Sequence, residues 1–277
     1  MVQIVTDSTA DLSHEIADQA NVKVIPLSVI IGGNTYHDGE DIDQFKLFEL
    51  IKQTGELPKT AAPSPGEFHK MFDVPEDSIF IGISSKLSAT VQDAVLSAQE
   101  FPEGKVRAID SINLSTGIGL LALAAADLRD QGLSAAEIEA EIKRRLPKTR
   151  MSFMIATMEF LYKGGRCSAM ENIFSTMLKI HPIIEMQPDG SLGVKDKAYG
   201  SRKKSMQLLL TDFEKHLDEL DPRRVFVTHT SPDEDAEYLK EEIIKLAAPE
   251  EVLITRAGSV VSSHCGPGTI GILYMVK

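Results

Sequence analysis

Short apolar stretches in this chain run repeatedly into clusters of hydroxyl and acidic side chains. Ile4-Val5 leads into Thr6-Asp7-Ser8-Thr9, Ile81-Gly82-Ile83 into Ser84-Ser85, and Ala108-Ile109 into Asp110-Ser111. The pattern returns at Ile155-Ala156-Thr157, at Val227 to Ser231, and at Val261-Ser262-Ser263-His264. Open α/β sheets bind ligands just beyond the carboxyl ends of their strands. A rim of neutral hydroxyls suits holding a small anionic group better than attacking one. His264 is the strongest single candidate. It is read as following a strand, and it stands just before Gly266-Pro267-Gly268, where backbone can approach closely. A structural histidine is the alternative.

Other chemistries fit less well. Asp7, Ser84 or Ser88, and His264 could supply a hydrolase triad. The nucleophile elbow is incomplete, because Gly82-Ile83-Ser84-Ser85 is followed by Lys86 where glycine is needed. Gly266 to Gly271 and Gly117 to Ala122 match the dinucleotide fingerprint only formally: neither has the following strand and acidic residue that the motif requires. No Walker A motif and no zinc-ligand spacing occur. Lys195, Lys197, Arg202, Lys203 and Lys204 form a basic cluster, read either as a solvated face or as a landing site for an anion or acidic partner. Arg166 follows Gly164-Gly165, and an arginine fork on such a loop matches anion oxygens.

The elements that must position these residues follow from periodicity. Residues 1 to about 150 alternate apolar strands with amphipathic helices, which predicts a doubly wound, mainly parallel sheet. Ser64-Pro65 with Glu67, and Ser134 with Glu137, read as capping boxes. TYHDGEDI reads as a polar turn, YKGGRCSAMENIFSTML as a loop and helix, and EVLITRAGSVVSSH as strand-rich. Pro188-Asp189-Gly190 marks a hairpin, which together with helices predicts an α+β region with a mixed sheet. A boundary is expected near Pro147 to Met151, between an α/β domain over 1–150 and an α+β domain over 151–277.

A formal net charge of −12 argues against nucleic-acid binding. Cys167 and Cys265 make no disulfide framework, which fits a reducing compartment. No stretch reaches the roughly 18 to 20 apolar residues of a membrane span, and the N-terminus lacks a signal peptide. A cytoplasmic location is expected.

Five motifs then occur in one order: TDSTADL near residue 6, KTAAPSPGEF near 59, SSKLSATVQDA near 84, KGGRCS near 163 and SSHCGPGTIG near 262. Together they resemble the DegV family, the fatty-acid-binding subunits of bacterial fatty acid kinase. The resemblance implies a two-domain protein that buries one long-chain fatty acid, palmitate- or oleate-like, and has no cofactor, metal or catalytic residue of its own. It implies that Thr60 and Ser88 bind the carboxylate, with His264 beside them. It also implies that Arg166 and Arg202 meet an ATP-binding kinase subunit, which phosphorylates the presented carboxylate to an acyl phosphate for phospholipid synthesis. Two departures stand out: Ala61 replaces a family serine, and the segment Lys197 to Arg202 is less arginine-rich. Burying about fourteen methylenes at roughly 0.8 kcal/mol each offers about 11 kcal/mol before binding costs. A serine hydrolase or acyltransferase using Ser88 and His264, or a lipid-responsive regulator, are the rival readings.

Overall fold

The computed structural model describes residues 1–166, 180–230 and 232–277. The expected loop and helix after Arg166, with Cys167, and the strand-end residue Ser231 lie outside them.

The first half is built on a parallel sheet of β1 (Gln3–Asp7), β2 (Val22–Ile25), β6 (Ser78–Gly82) and β7 (Val106–Asp110), in the order β2-β1-β6-β7. Alternation along the strands gives it two apolar faces. Ile4, Ile79 and Ile81 pack toward the long helix Thr116–Asp130, while Val5 and Phe80 pack against Phe68 and Phe72 of the helix Pro65–Phe72. The sheet is therefore doubly wound, as the alternation of elements predicts. Both expected capping boxes are present, at Ser64–Glu67 and Ser134–Glu137.

A small antiparallel sheet corrects the reading of TYHDGEDI as a polar turn, while the helix expected after it is present as Gln44–Thr54. β3 (Ser28–Ile31) lies between β4 (Asn34–His37) and β5 (Lys59–Ala61). Val29 of β3 is fully buried, and it packs in a satellite cluster with Leu47 and Val260. β4 and β5 are too short and polar to show alternation, so pairing with β3 defines them.

The second half carries a six-stranded mixed sheet ordered β10-β9-β8-β13-β11-β12. Its strands are β8 (Thr149–Met154), β9 (Ile180–Met186), β10 (Leu192–Tyr199), β11 (Leu220–His229), β12 (Glu251–Arg256) and β13 (Ile270–Val276). β11 and β12 run parallel, and the other pairs are antiparallel. The β9–β10 hairpin turns at Pro188-Asp189-Gly190 as expected. Gly190 is needed there twice over: its φ is +84°, and a Cβ would strike Ser84 Oγ. One apolar cluster runs from Ile4, Ile79 and Leu121 through Met151 and Phe153 to Leu273. Thr116, at the start of the helix Thr116–Asp130, and Thr228 of β11 join the two halves through a 2.6 Å hydroxyl pair.

The segment 259–265 overturns a second expectation. Val260 to Cys265 is not a strand end: Ser259–Cys265 is a helix, and His264 sits in its last turn.

Candidate functional site

Two buried carboxylates hold the start of the His264 helix. Asp11 Oδ1 accepts from Gly258 N–H at 2.7 Å and its Oδ2 from Ser115 Oγ at 2.5 Å. Asp38 Oδ1 accepts from Ser259 N–H at 2.6 Å and from Ser259 Oγ at 2.5 Å. A Cβ on Gly258 would meet both carboxylates, so only glycine lets them converge. Burial holds the carboxyls of Asp11 and Asp38 above the usual range. Sequence reasoning missed both residues; their hint was acidic side chains within Ala10-Asp11 and Asp38-Gly39.

At the other end of this helix, His264 Nε2 meets Thr60 Oγ1 of β5 at 2.9 Å. Its Nδ1 is buried with no partner among the described residues. A proton on Nε2 leaves no buried donor unpaired, so the imidazole donates to Thr60 Oγ1, and the Thr60 O–H is left to donate elsewhere. Burial, with the Arg166 guanidinium nearby, pushes His264 down to about 4, so it is neutral at physiological pH.

Gly164 and Gly165 explain the Gly-Gly-Arg motif. A Cβ on Gly164 would lie 2.5 Å from His264 Nδ1, and Gly165 has φ +73°. The turn delivers Arg166, whose Nε donates to Leu87 O at 3.1 Å and whose Nη1 donates to Gly164 O at 2.7 Å. No carboxylate pairs with it among the described residues, and burial lowers its pKa. Ser88 Oγ lies 2.8 Å from Thr90 Oγ1 and accepts from Thr90 N–H, at the start of the helix Thr90–Ala98.

Thr60, Ser88, Arg166 and His264 all border one cavity. It has about 820 Å³ of empty space counted out to its mouth. Its walls are mainly aliphatic, with Leu27, Leu114, Met151, Phe153, Leu192 and Leu273 among them. The structure thus unites four of the five expected site residues. Arg166, expected at the kinase partner, borders the same cavity as the three expected at a carboxylate. Arg202 lies elsewhere: its Nε bonds Asp235 Oδ2 at 2.6 Å and its Nη1 bonds Gly268 O at 2.6 Å, which steadies the turn after His264. Lys195 of the basic cluster is neutralised by Glu185 and Asp212 at 2.9 and 2.8 Å.

The hydrolase triad is not assembled. Asp7 is spent on Thr9 and Ile83 N–H, Ser84 donates to Gly190 O, and His264 Nε2 faces Thr60 rather than Ser88. No acid orients Nδ1 among the described residues. Cys265 is buried, which pushes its thiol up to about 12. Among the described residues no cluster of His, Cys, Asp or Glu could hold a metal, and no helix is long and apolar enough to cross a membrane.

A doubly wound sheet and a mixed sheet thus border one mainly apolar cavity, with hydroxyls, a neutral imidazole and a guanidinium on its wall. The chain belongs to the DegV family, a family of uncharacterised proteins whose model matches residues 1–277. A DegV domain-containing protein of Caldanaerobacter subterraneus is 31% identical, covering 100% of this chain and 99% of the relative. Among solved structures, a fatty-acid-binding DegV family protein from Thermus thermophilus superposes with a TM-score of 0.93 at 32% identity, covering 100% of this chain and 99% of that one. DegV from Bacillus subtilis, a fatty acid binding protein, gives 0.89 at 27% identity, with coverage of 100% and 99%. The fatty acid kinase B3 protein of Streptococcus pneumoniae, solved with linoleic acid, gives 0.87 at 24% identity over 100% of both chains, a likeness of fold.

Proposed function

We propose that this protein binds one long-chain fatty acid in the cavity and presents its carboxylate to an ATP-dependent kinase subunit. The observation that carries the reading is the meeting of Thr60, Ser88, His264 and Arg166 on the wall of a mainly apolar void. The fatty-acid-binding structures from Thermus thermophilus and Bacillus subtilis support the ligand class.

The chemistry follows from what each group can give. An acyl tail gains about 0.8 kcal/mol for each methylene it buries. A carboxylate cannot be buried without partners. The Thr60 O–H, fixed by His264, and the Ser88 O–H donate to it, and Arg166 supplies the opposite charge. Two carbonyls hold the Arg166 fork in place, so little side-chain freedom is lost on binding. A neutral His264 beside Arg166 avoids piling a second charge on the head group, which keeps a carboxylate oxygen nucleophilic. Attack of that oxygen on the γ-phosphorus of the partner's ATP, with ADP leaving, would give the acyl phosphate. In this reading Arg166 also meets the incoming phosphoryl group. Arg202, tied to the turn that follows His264, is the second residue in this reading that faces the kinase.

The test is mass spectrometry of an organic extract from the purified, denatured protein, repeated on Ser88→Ala. A stoichiometric fatty acid in the parent and a depleted one in the variant are expected. An empty parent that also takes up neither palmitate nor oleate refutes the ligand. If Ser88→Ala changes neither lipid binding nor phosphorylation by a kinase partner, the carboxylate assignment is wrong.

A further inference from the structure

The cavity has a head and a floor, and the strand register orders them. Thr269, just before β13, donates from Oγ1 to Cys265 O at 2.9 Å, beside His264. β13 then runs away from the head group, antiparallel to β8, with Gly271 opposite Phe153 and Leu273 opposite Met151. All four border the cavity, so the Met151–Leu273 rung lies about 7 Å deeper than the Phe153–Gly271 rung.

Behind that rung lies a second space. A groove of about 1270 Å³, counted out to open solvent, is bordered by Arg150, Ser152, Gln187, Lys195, Asp212 and Tyr274. Thr149 Oγ1, also on its wall, is buried without a partner among the described residues. Among the described residues Met151 alone borders both spaces. The reason lies in the ladder. β8 pairs with β9 only from Ser152 to Met154, so at Met151 the sheet opens on that side while β13 still covers the other. Beyond the last β9 rung, Met151 is the residue that the aliphatic cavity and the polar groove share.

We infer that Met151 is the chain-length determinant of this protein, its side chain forming the floor of the acyl cavity and closing it against the polar groove. The inference rests on the fatty-acid reading and deepens it. A chain that ends at Met151 buries every methylene. A longer one must displace the thioether and push its terminal methyl among polar groups, losing about four-fold in affinity for each methylene that stays wet. Methionine suits the position because its flexible arm fills against chain ends of slightly different length.

The experiment is a competition series on delipidated full-length protein with saturated acids from twelve to about twenty carbons. In the parent, affinity should climb with length and then break. Met151→Ala should move the break up by about two carbons and improve binding of the longer acids about ten-fold. Met151→Phe should move it down. Met186→Ala, which alters the groove alone, should leave it in place. An unchanged break in both Met151 variants overturns the inference, as does an equal upward shift in Met186→Ala. Either result leaves the fatty-acid reading intact. A parent that binds none of the acids refutes that reading, and this inference with it.

Discussion

Strands β8 and β13 send Met151, Phe153 and Leu273 to one side and Arg150, Ser152 and Tyr274 to the other. On the first side most of the lining is hydrocarbon, and polar neighbours such as Ser115, Thr228 and Thr269 are spent on bonds within the protein. On the second, Lys195 bridges Glu185 and Asp212, and the Tyr274 phenol, raised by burial and by Asp212, shares the groove with Arg150. The comparison shows how a two-residue period gives one sheet two different linings, since the second side also buries Met154, Ile272 and Tyr274 beside Phe213 and turns polar only at the groove. It also shows that the two sides demand different things of a side chain. The cavity punishes any unpaired charge, while the groove holds charges that are paired.

The largest expected break in that contrast comes from moving a charge across it. Leu273→Asp puts a carboxylate on the cavity side at a position 2% exposed, and should cost about 4 kcal/mol or more in urea unfolding, with loss of bound lipid. A cost below about 1 kcal/mol there would show that the cavity is wet.

Acid should act next, through His264. Its folded value of about 4 lies below the ordinary 6.5, so the unfolded chain takes up a proton between these values that the folded chain refuses. Stability then falls as pH drops from 6.5 toward 4, by about 2 kcal/mol after allowance for partial exposure. Asp7 opposes this. Burial raises it from 3.8 to about 6, so the folded form binds the extra proton and gains stability as pH drops through that window. His264→Gln should therefore gain on the parent in urea midpoints between pH 7 and pH 4.5, whereas Asp7→Asn should lose. A parent-to-variant difference that does not move with pH would show that His264 is not the titrating group.

At the head-group end, Thr60→Ala removes the donor that His264 fixes. Fatty-acid affinity should fall about ten-fold, roughly 1.4 kcal/mol, in the same competition assay. The smallest effect is expected one residue from the largest. Tyr274→Phe leaves the cavity lining untouched and should cost under about 1 kcal/mol with lipid retention unaltered. If it releases lipid as Leu273→Asp does, the two sides are not independent.

Much of the frame was legible along the chain. Ile4, Val5, Ile79 and Phe80 announce buried parallel strands, and Ser64 and Ser134 announce helix starts, because alternation and capping act within a few residues. Thr60, Ser88, Arg166 and His264 were each visible as candidates. Their convergence on one cavity was not, since β5 gains its partner in β3 and the Gly164 turn gains its shape from the His264 ring. Lys195 read as free charge because its partner Asp212 lies on a separate helix.

The segment Ser259–Cys265 marks the division most clearly. Its paired valines and serines favour a strand locally. Asp11 and Asp38 make it a helix by capping it from 247 and 221 residues away. The sequence by itself determined which stretches are apolar, their period and where they stop, because those properties depend on neighbours in the chain. The tertiary structure alone decided which donors face the cavity, which charges cancel, and that β8 loses its β9 partner at Met151. Each of these depends on a contact between residues that no local preference links.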